Sequence, residues 1–130
     1  MSDIAPYLAN KILRWTAGNA MPSAPADVYL ALYNGEPRVG GVEVTTTIRV
    51  AGRLALSFAA LAEGLTNELD IDADVDFGAA AGEAALSHVA ALDAAASGNL
   101  LWTKELPSGP YTVGAGTQVK FLAADVSFAA

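Results

Sequence analysis

From Leu86 to Ala130 short apolar runs alternate with tight turns, and this rhythm limits the possible folds more than anything else in the chain. Leu86 to Leu92 and Leu100 to Leu106 flank the turn Ser97-Gly98-Asn99. Pro107-Ser108-Gly109-Pro110 interrupts next, and Val113-Gly114-Ala115-Gly116 leads into Gln118 to Phe128. Runs of this length between turn residues are strand-like, because a buried helix needs a longer periodic segment. The same habit appears earlier. Val28, Leu30 and Leu32 alternate with Tyr29, Ala31 and Tyr33, which predicts a strand with one face inward. Asn34-Gly35-Glu36-Pro37 closes that strand, and Gly40-Gly41 marks a second break. Val42 to Val50, with Thr45-Thr46-Thr47, suits an edge strand or extended loop. Leu54, Leu56 and Phe58 alternate with Ala55, Ser57 and Ala59, giving another strand, and Ala79 to Ala85 fits a helical turn or a loop. About seven or eight strands with a turn about every ten residues predict a mainly β protein, an antiparallel β-sandwich of jelly-roll-like type.

Residues 3–17 stand apart as a helix. Ser2 or Asp3 can cap it, Pro6 lies in its first turn, and Gly18-Asn19 ends it. Ile4, Leu8, Ile12 and Trp15 fall on one stripe, and Lys11 and Arg14 sit late, where the helix dipole favours cations. The stripe packs on this domain's own sheet or on a neighbouring subunit. Pro22 and Pro25 make the following segment a loop. The expected organisation is one domain over residues 1–130, with the helix at 3–17 and the sandwich at 27–130.

Composition sharpens the second choice. Hydrophobic residues make up 53 % of the chain and charged residues 16 %, against the roughly 25 % charged of an ordinary soluble domain. Part of that surplus is alanine, but the rest implies apolar surface covered by other chains. Ile4, Leu8, Ile12, Trp15, Tyr29 and Tyr33 are the interface candidates. A net charge of −7 opposes binding to nucleic acid, which requires cations to displace counterions, and docking on anionic membranes. The absence of cysteine excludes disulfides and thiolate metal sites. No signal-peptide pattern opens the chain and no apolar run reaches the roughly 18 residues of a membrane span.

No set of residues is spaced for catalysis. Asp70, Asp72 and Asp74 resemble the start of a calcium loop, but Val75 stands where that loop needs glycine and Ala81 where it needs a bidentate glutamate. Their alternation with Ile71, Ala73 and Val75 fits a strand with a solvated acidic face. His88 is the lone histidine, next to Ser87 and five residues before Asp93. Regular strand alternation would put Ser87 and His88 on opposite faces, where they could not share a hydrogen bond. Gly114-Ala115-Gly116 enters a strand, not the helix a dinucleotide fingerprint requires. Trp102, Tyr111, Tyr29 and Tyr33 could form a sugar platform or pack in the core. Glu63 and Glu68 carry no glycosidase spacing. The expectation is a protein that is not an enzyme and holds no cofactor.

Several segments together resemble small phage tail-fibre-like virion proteins. They are Ile-Ala-x-Tyr-Leu-x-Asn-x-Ile-Leu-x-Trp (Ile4 to Trp15), Val28 to Tyr33, Leu92-Asp93-Ala94, Ser97-Gly98-Asn99-Leu100-Leu101 and Val113-Gly114-Ala115-Gly116. The alanine-rich, acidic composition is also similar to that of gene transfer agent particles and their head-spike base protein. The resemblance implies a non-enzymatic structural component made in the bacterial cytoplasm and carried in a virion or phage-like particle. It implies a ring or trimer that partners itself, a capsid protein and a spike or fibre protein, at a site such as a capsid vertex. A carbohydrate-binding or tail-fibre role on a host glycan is the alternative.

Overall fold

The computed structural model describes residues 3–61, 64, 67–123 and 125–130. The alternating segment near residue 30 becomes β1 (Tyr29–Asn34), the centre of the main sheet. Strand β7 (His88–Leu92) pairs along one edge of it, with Tyr29 opposite Leu92 and Tyr33 opposite His88. Strand β8 (Leu100–Glu105) pairs beyond β7. Two short strands share the other edge of β1: β2 (Val42–Glu43) at its Tyr33 end and β3 (Leu54–Ala55) at its Tyr29 end. The remaining described strands form three ladders of two. They are β4 (Glu68–Asp70) with β11 (Ser127–Ala129), β5 (Val75–Ala79) with β10 (Gln118–Phe121), and β6 (Ala84–Leu86) with β9 (Tyr111–Val113). Every one of these pairings is antiparallel, and helix α1 (Pro6–Thr16) precedes them. The fold is mainly β, as the alternation predicts.

The core lies between the main sheet and the ladders. Leu30, Leu32, Val89 and Ala91 point from the sheet towards Phe77, Val119, Leu86, Val113 and Phe128. Phe128 is fully buried, with its ring 6.3 Å from that of Trp102. On the sheet's other face Ala31, Ala90 and Leu92 are buried beside Tyr33 and Leu100. Strand β7 is therefore buried along its whole length.

Where the sequence predicts about seven or eight strands, eleven form among the described residues. The longer runs change partners part-way. Leu86 to Leu92 breaks at Ser87, because β6 pairs with a ladder strand whereas β7 enters the main sheet. Leu54–Ala55 pairs with β1, whereas Phe58 bridges to Ile71. Gln118 to Phe128 splits because β10 and β11 pair with different strands. Strands that cross between packed sheets bend in this way. Residues 79–85, read as a helical turn or loop, end in the strand Ala84–Leu86.

The helix starts later than the sequence predicts. Its N-cap is Ala5, with no side-chain cap; Ser2 lies outside the described residues. Asp3 is engaged elsewhere. Its carbonyl accepts the Thr103 N–H at 2.8 Å, and its own N–H donates to the Ala129 carbonyl at 2.9 Å. Its carboxylate accepts the Ala129 N–H at 2.9 Å. With Ala5 N–H donating to Leu101 at 2.9 Å, residues 3–5 run as an extra edge beside β8.

The segment Val42 to Val50 also differs from expectation. After β2 it coils into a single helical turn, α2 (Thr45–Ile48), instead of running extended. The Thr45 hydroxyl accepts the Leu32 N–H at 2.9 Å and donates to Glu43 at 2.7 Å. This side-chain bond diverts the chain off the edge of β1 and buries Ile48. Glu43 in turn receives the Arg53 guanidinium at 2.8 and 2.9 Å. The same guanidinium donates to the carbonyls of Ala94 and Ser97 at 2.9 and 2.8 Å. Gly41 is required here, because a Cβ would overlap the backbone of Gly35.

Candidate functional site

Helix α1 leaves its root at residues 3–5 and lies along β8, but none of its residues is buried. Leu8 is half-buried; Ile12 is 39 % exposed, Trp15 60 % and Leu13 68 %. At 3.6 residues per turn Leu13 falls away from the Leu8–Ile12–Trp15 stripe, so the outer half of the helix is apolar on two sides. Stripe periodicity alone does not single out Leu13; its direct succession to Ile12 was the available signal. Beneath the helix runs a groove of about 670 Å³ lined by Tyr7, Leu8, Met21, Leu61, Leu101 and Trp102, among others. Met21 and Leu61 are exposed.

The sequence-derived interface set is divided. Ile4 is held at the root by its bridge to Trp102, while Leu8, Ile12 and Trp15 continue outward along the helix. Tyr29 and Tyr33 sit half-buried on the opposite face of the main sheet, Tyr33 with Ala31 and Ala90. Trp102 joins the core face with Leu30 and Phe128. Tyr111 lies on β9 and donates its hydroxyl to the Pro107 carbonyl.

A second groove, about 600 Å³, opens between β9 and β10. Leu86, Leu106, Tyr111, Val119 and Phe121 give it an apolar lining, and Asp125 stands among them. Asp74, and Asp76 two residues on, approach this groove. Asp76 accepts from Gln118 Nε2 at 3.1 Å and from the Gly78 N–H at 2.8 Å. The Gly78 bond, followed by that from Gln118, lowers its carboxyl pKa. Asp74 accepts the Ala123 N–H at 2.8 Å and lies 3.6 Å from Lys120 Nζ. Asp70 belongs to β4 and Asp72 to the segment between strands. Both are exposed, and among the described residues no group of three or more His, Cys, Asp or Glu is gathered to hold a metal ion.

His88 heads a polar cluster on the sheet's outer face. Its Nδ1 lies 2.8 Å from Ser87 Oγ, a contact that strand alternation forbids. The break between β6 and β7 permits it, since Ser87 belongs to neither strand. Ser87 Oγ also accepts the Gly35 N–H at 2.8 Å, pinning the turn after β1. His88 Nε2 is 3.7 Å from Glu36 Oε2. Asp93 lies beyond the far end of β7 and accepts from Asn99 at 2.6 and 3.0 Å. Glu68 is exposed at the start of β4, and Glu63 lies outside the described residues.

Two glutamates make stability depend on acid. Burial pushes the Glu36 pKa up, but hydrogen bonds from Arg38 bring it below its ordinary 4.5. Arg53 does the same for Glu43 against burial, with help from Thr45. A carboxyl whose folded pKa is depressed stabilises the fold above its unfolded pKa, and that stability fades as pH falls through the folded value. The melting temperature is therefore expected to hold between about pH 7 and pH 5 and to drop progressively below about pH 4.5. Glu43→Gln should flatten the drop in a calorimetric pH series; an unchanged slope would contradict the assignment.

No described helix is long and apolar enough to cross a membrane. A family model described as Gp80, podophage GP4 fiber I protein gp80, matches residues 3–129. No curated protein matches the chain.

Proposed function

Because the chain belongs to the family of the podophage GP4 fiber I protein gp80, we propose that it is a non-enzymatic structural part of a phage-like particle that self-associates and attaches a fibre or spike there. One observation carries this reading: the outer half of α1 is apolar on two sides and its own chain leaves it uncovered. A helix of that character is stable when embedded, and a virion subunit is embedded among others. Ile4 and Leu8 would form the rooted end of the contact and Ile12 and Trp15 its outer end. Tyr29 and Tyr33, on the other side of the sheet, would serve a separate contact. Attachment at a capsid vertex would make the protein a head-spike base; attachment at the tail would make it a fibre root.

Gold-labelled antibody on purified particles is expected to mark one fixed position, and the position distinguishes head from tail. Particles without label, and without the chain in their protein content, would overturn the proposal. A second reading, contact with a host-surface glycan, draws on Tyr7 and Trp102 lining the same groove. Glycan-array binding that disappears in a folded Trp102→Ala variant would favour it.

A further inference from the structure

We infer that the outer half of α1 inserts into the groove between β9 and β10 of a second copy of this chain. The inference rests on the structural reading above and names the partner surface. Charge is the first argument. Residues 6–16 contain Lys11 and Arg14 and no acid, so the helix carries two positive charges on a chain of net −7. Lys11 lies over the Tyr7 ring, and the Arg14 guanidinium has no partner among the described residues. The groove has the opposite character. Asp125 lines it, Asp76 is bonded to its lining residue Gln118, and Asp74 is paired with its lining residue Lys120. Three acids less one base leave a net −2 against the helix's +2.

Shape is the second argument. An amphipathic helix binds by laying its apolar stripe in an apolar groove, and a groove of about 600 Å³ has room for the Ile12 and Trp15 side chains. Exposed Leu122 extends the apolar surface beside it. The contact is between copies. Helix α1 is rooted at the β8 edge, and none of its residues lines the groove of its own chain. Such a contact uses a different surface on each partner, so it is head-to-tail and propagates until a rotation closes it into a ring.

Complementation tests this directly. Wild-type protein is expected to run as an oligomer in size-exclusion chromatography with light scattering, and to dissociate as salt screens the charges. Ile12→Glu with Trp15→Glu disables the helix but leaves the groove. Tyr111→Lys with Gln118→Lys disables the groove but leaves the helix. All four positions are exposed, and thermal melts check that each variant folds. Each variant alone should be monomeric, and an equal mixture should give a heterodimer of twice the monomer mass. A monomeric wild type, variants that keep the wild-type mass, or a mixture that stays monomeric would overturn the inference. If the contact fails but antibody still marks the particle, the structural role stands without this interface; if the contact forms but no particle carries the chain, the structural role falls alone.

Discussion

Phe128→Ala is expected to lower the free energy of unfolding by about 4 kcal/mol, read from urea denaturation at neutral pH. Phe128 is fully buried. Its ring packs near Trp102 across the two layers, and its strand β11 is bonded to the helix root through Ala129. Removing it deletes the transfer energy of a large aromatic and leaves a cavity that neighbouring strands cannot fill without moving. That loss is a large share of the stability of a marginal domain, about 5 to 15 kcal/mol in total. A loss below about 1 kcal/mol would mean that the layers are not held together at this point.

Arg53→Ala should cost about 3 kcal/mol in the same measurement, nearly as much for a charged residue. Its side chain is only 6 % exposed and ties two distant pieces of chain together: Glu43 on β2, and Ala94 and Ser97 in the turn between β7 and β8. Alanine would leave the Glu43 carboxylate with only the Thr45 hydroxyl as its partner and would strand the Ala94 and Ser97 carbonyls. Arg53→Lys keeps the charge but cannot reproduce the paired bonds to Glu43 together with those to the carbonyls, so an intermediate loss is expected. Equal stability of the lysine variant and wild type would show that charge alone matters and the fork geometry does not.

The parts legible in sequence were those governed by local rules. Alternation placed β1 and β8, and the Gly- and Pro-bearing turns fell where turn chemistry demanded. Composition pointed to apolar residues beyond what the chain's own core takes up, and Ile12, Leu13 and Trp15 on α1 are exposed apolar residues of that kind. What the sequence concealed arises where distant groups override local preference. A run of three threonines favours extended backbone, yet the bond from Leu32 to Thr45 turns the chain into a helix. Ser87 and His88 meet because the chain is crossing between layers, where alternation does not apply. The second groove was invisible for a simpler reason: Leu86, Leu106, Tyr111 and Val119 become neighbours only when β6, β9 and β10 assemble.

The root of α1 has a mechanical consequence. A pull transmitted along residues 3–5 would run parallel to β8, across the bonds from Ala5 to Leu101 and from Thr103 to Asp3. Antiparallel ladder bonds stand perpendicular to the strands, so tension loads them side by side in shear. The tie to Ala129 and the Arg38 bond to the Ile4 carbonyl share the same load. They must rupture together and cannot unzip one by one, so the root would hold α1 firmly against any force applied along it.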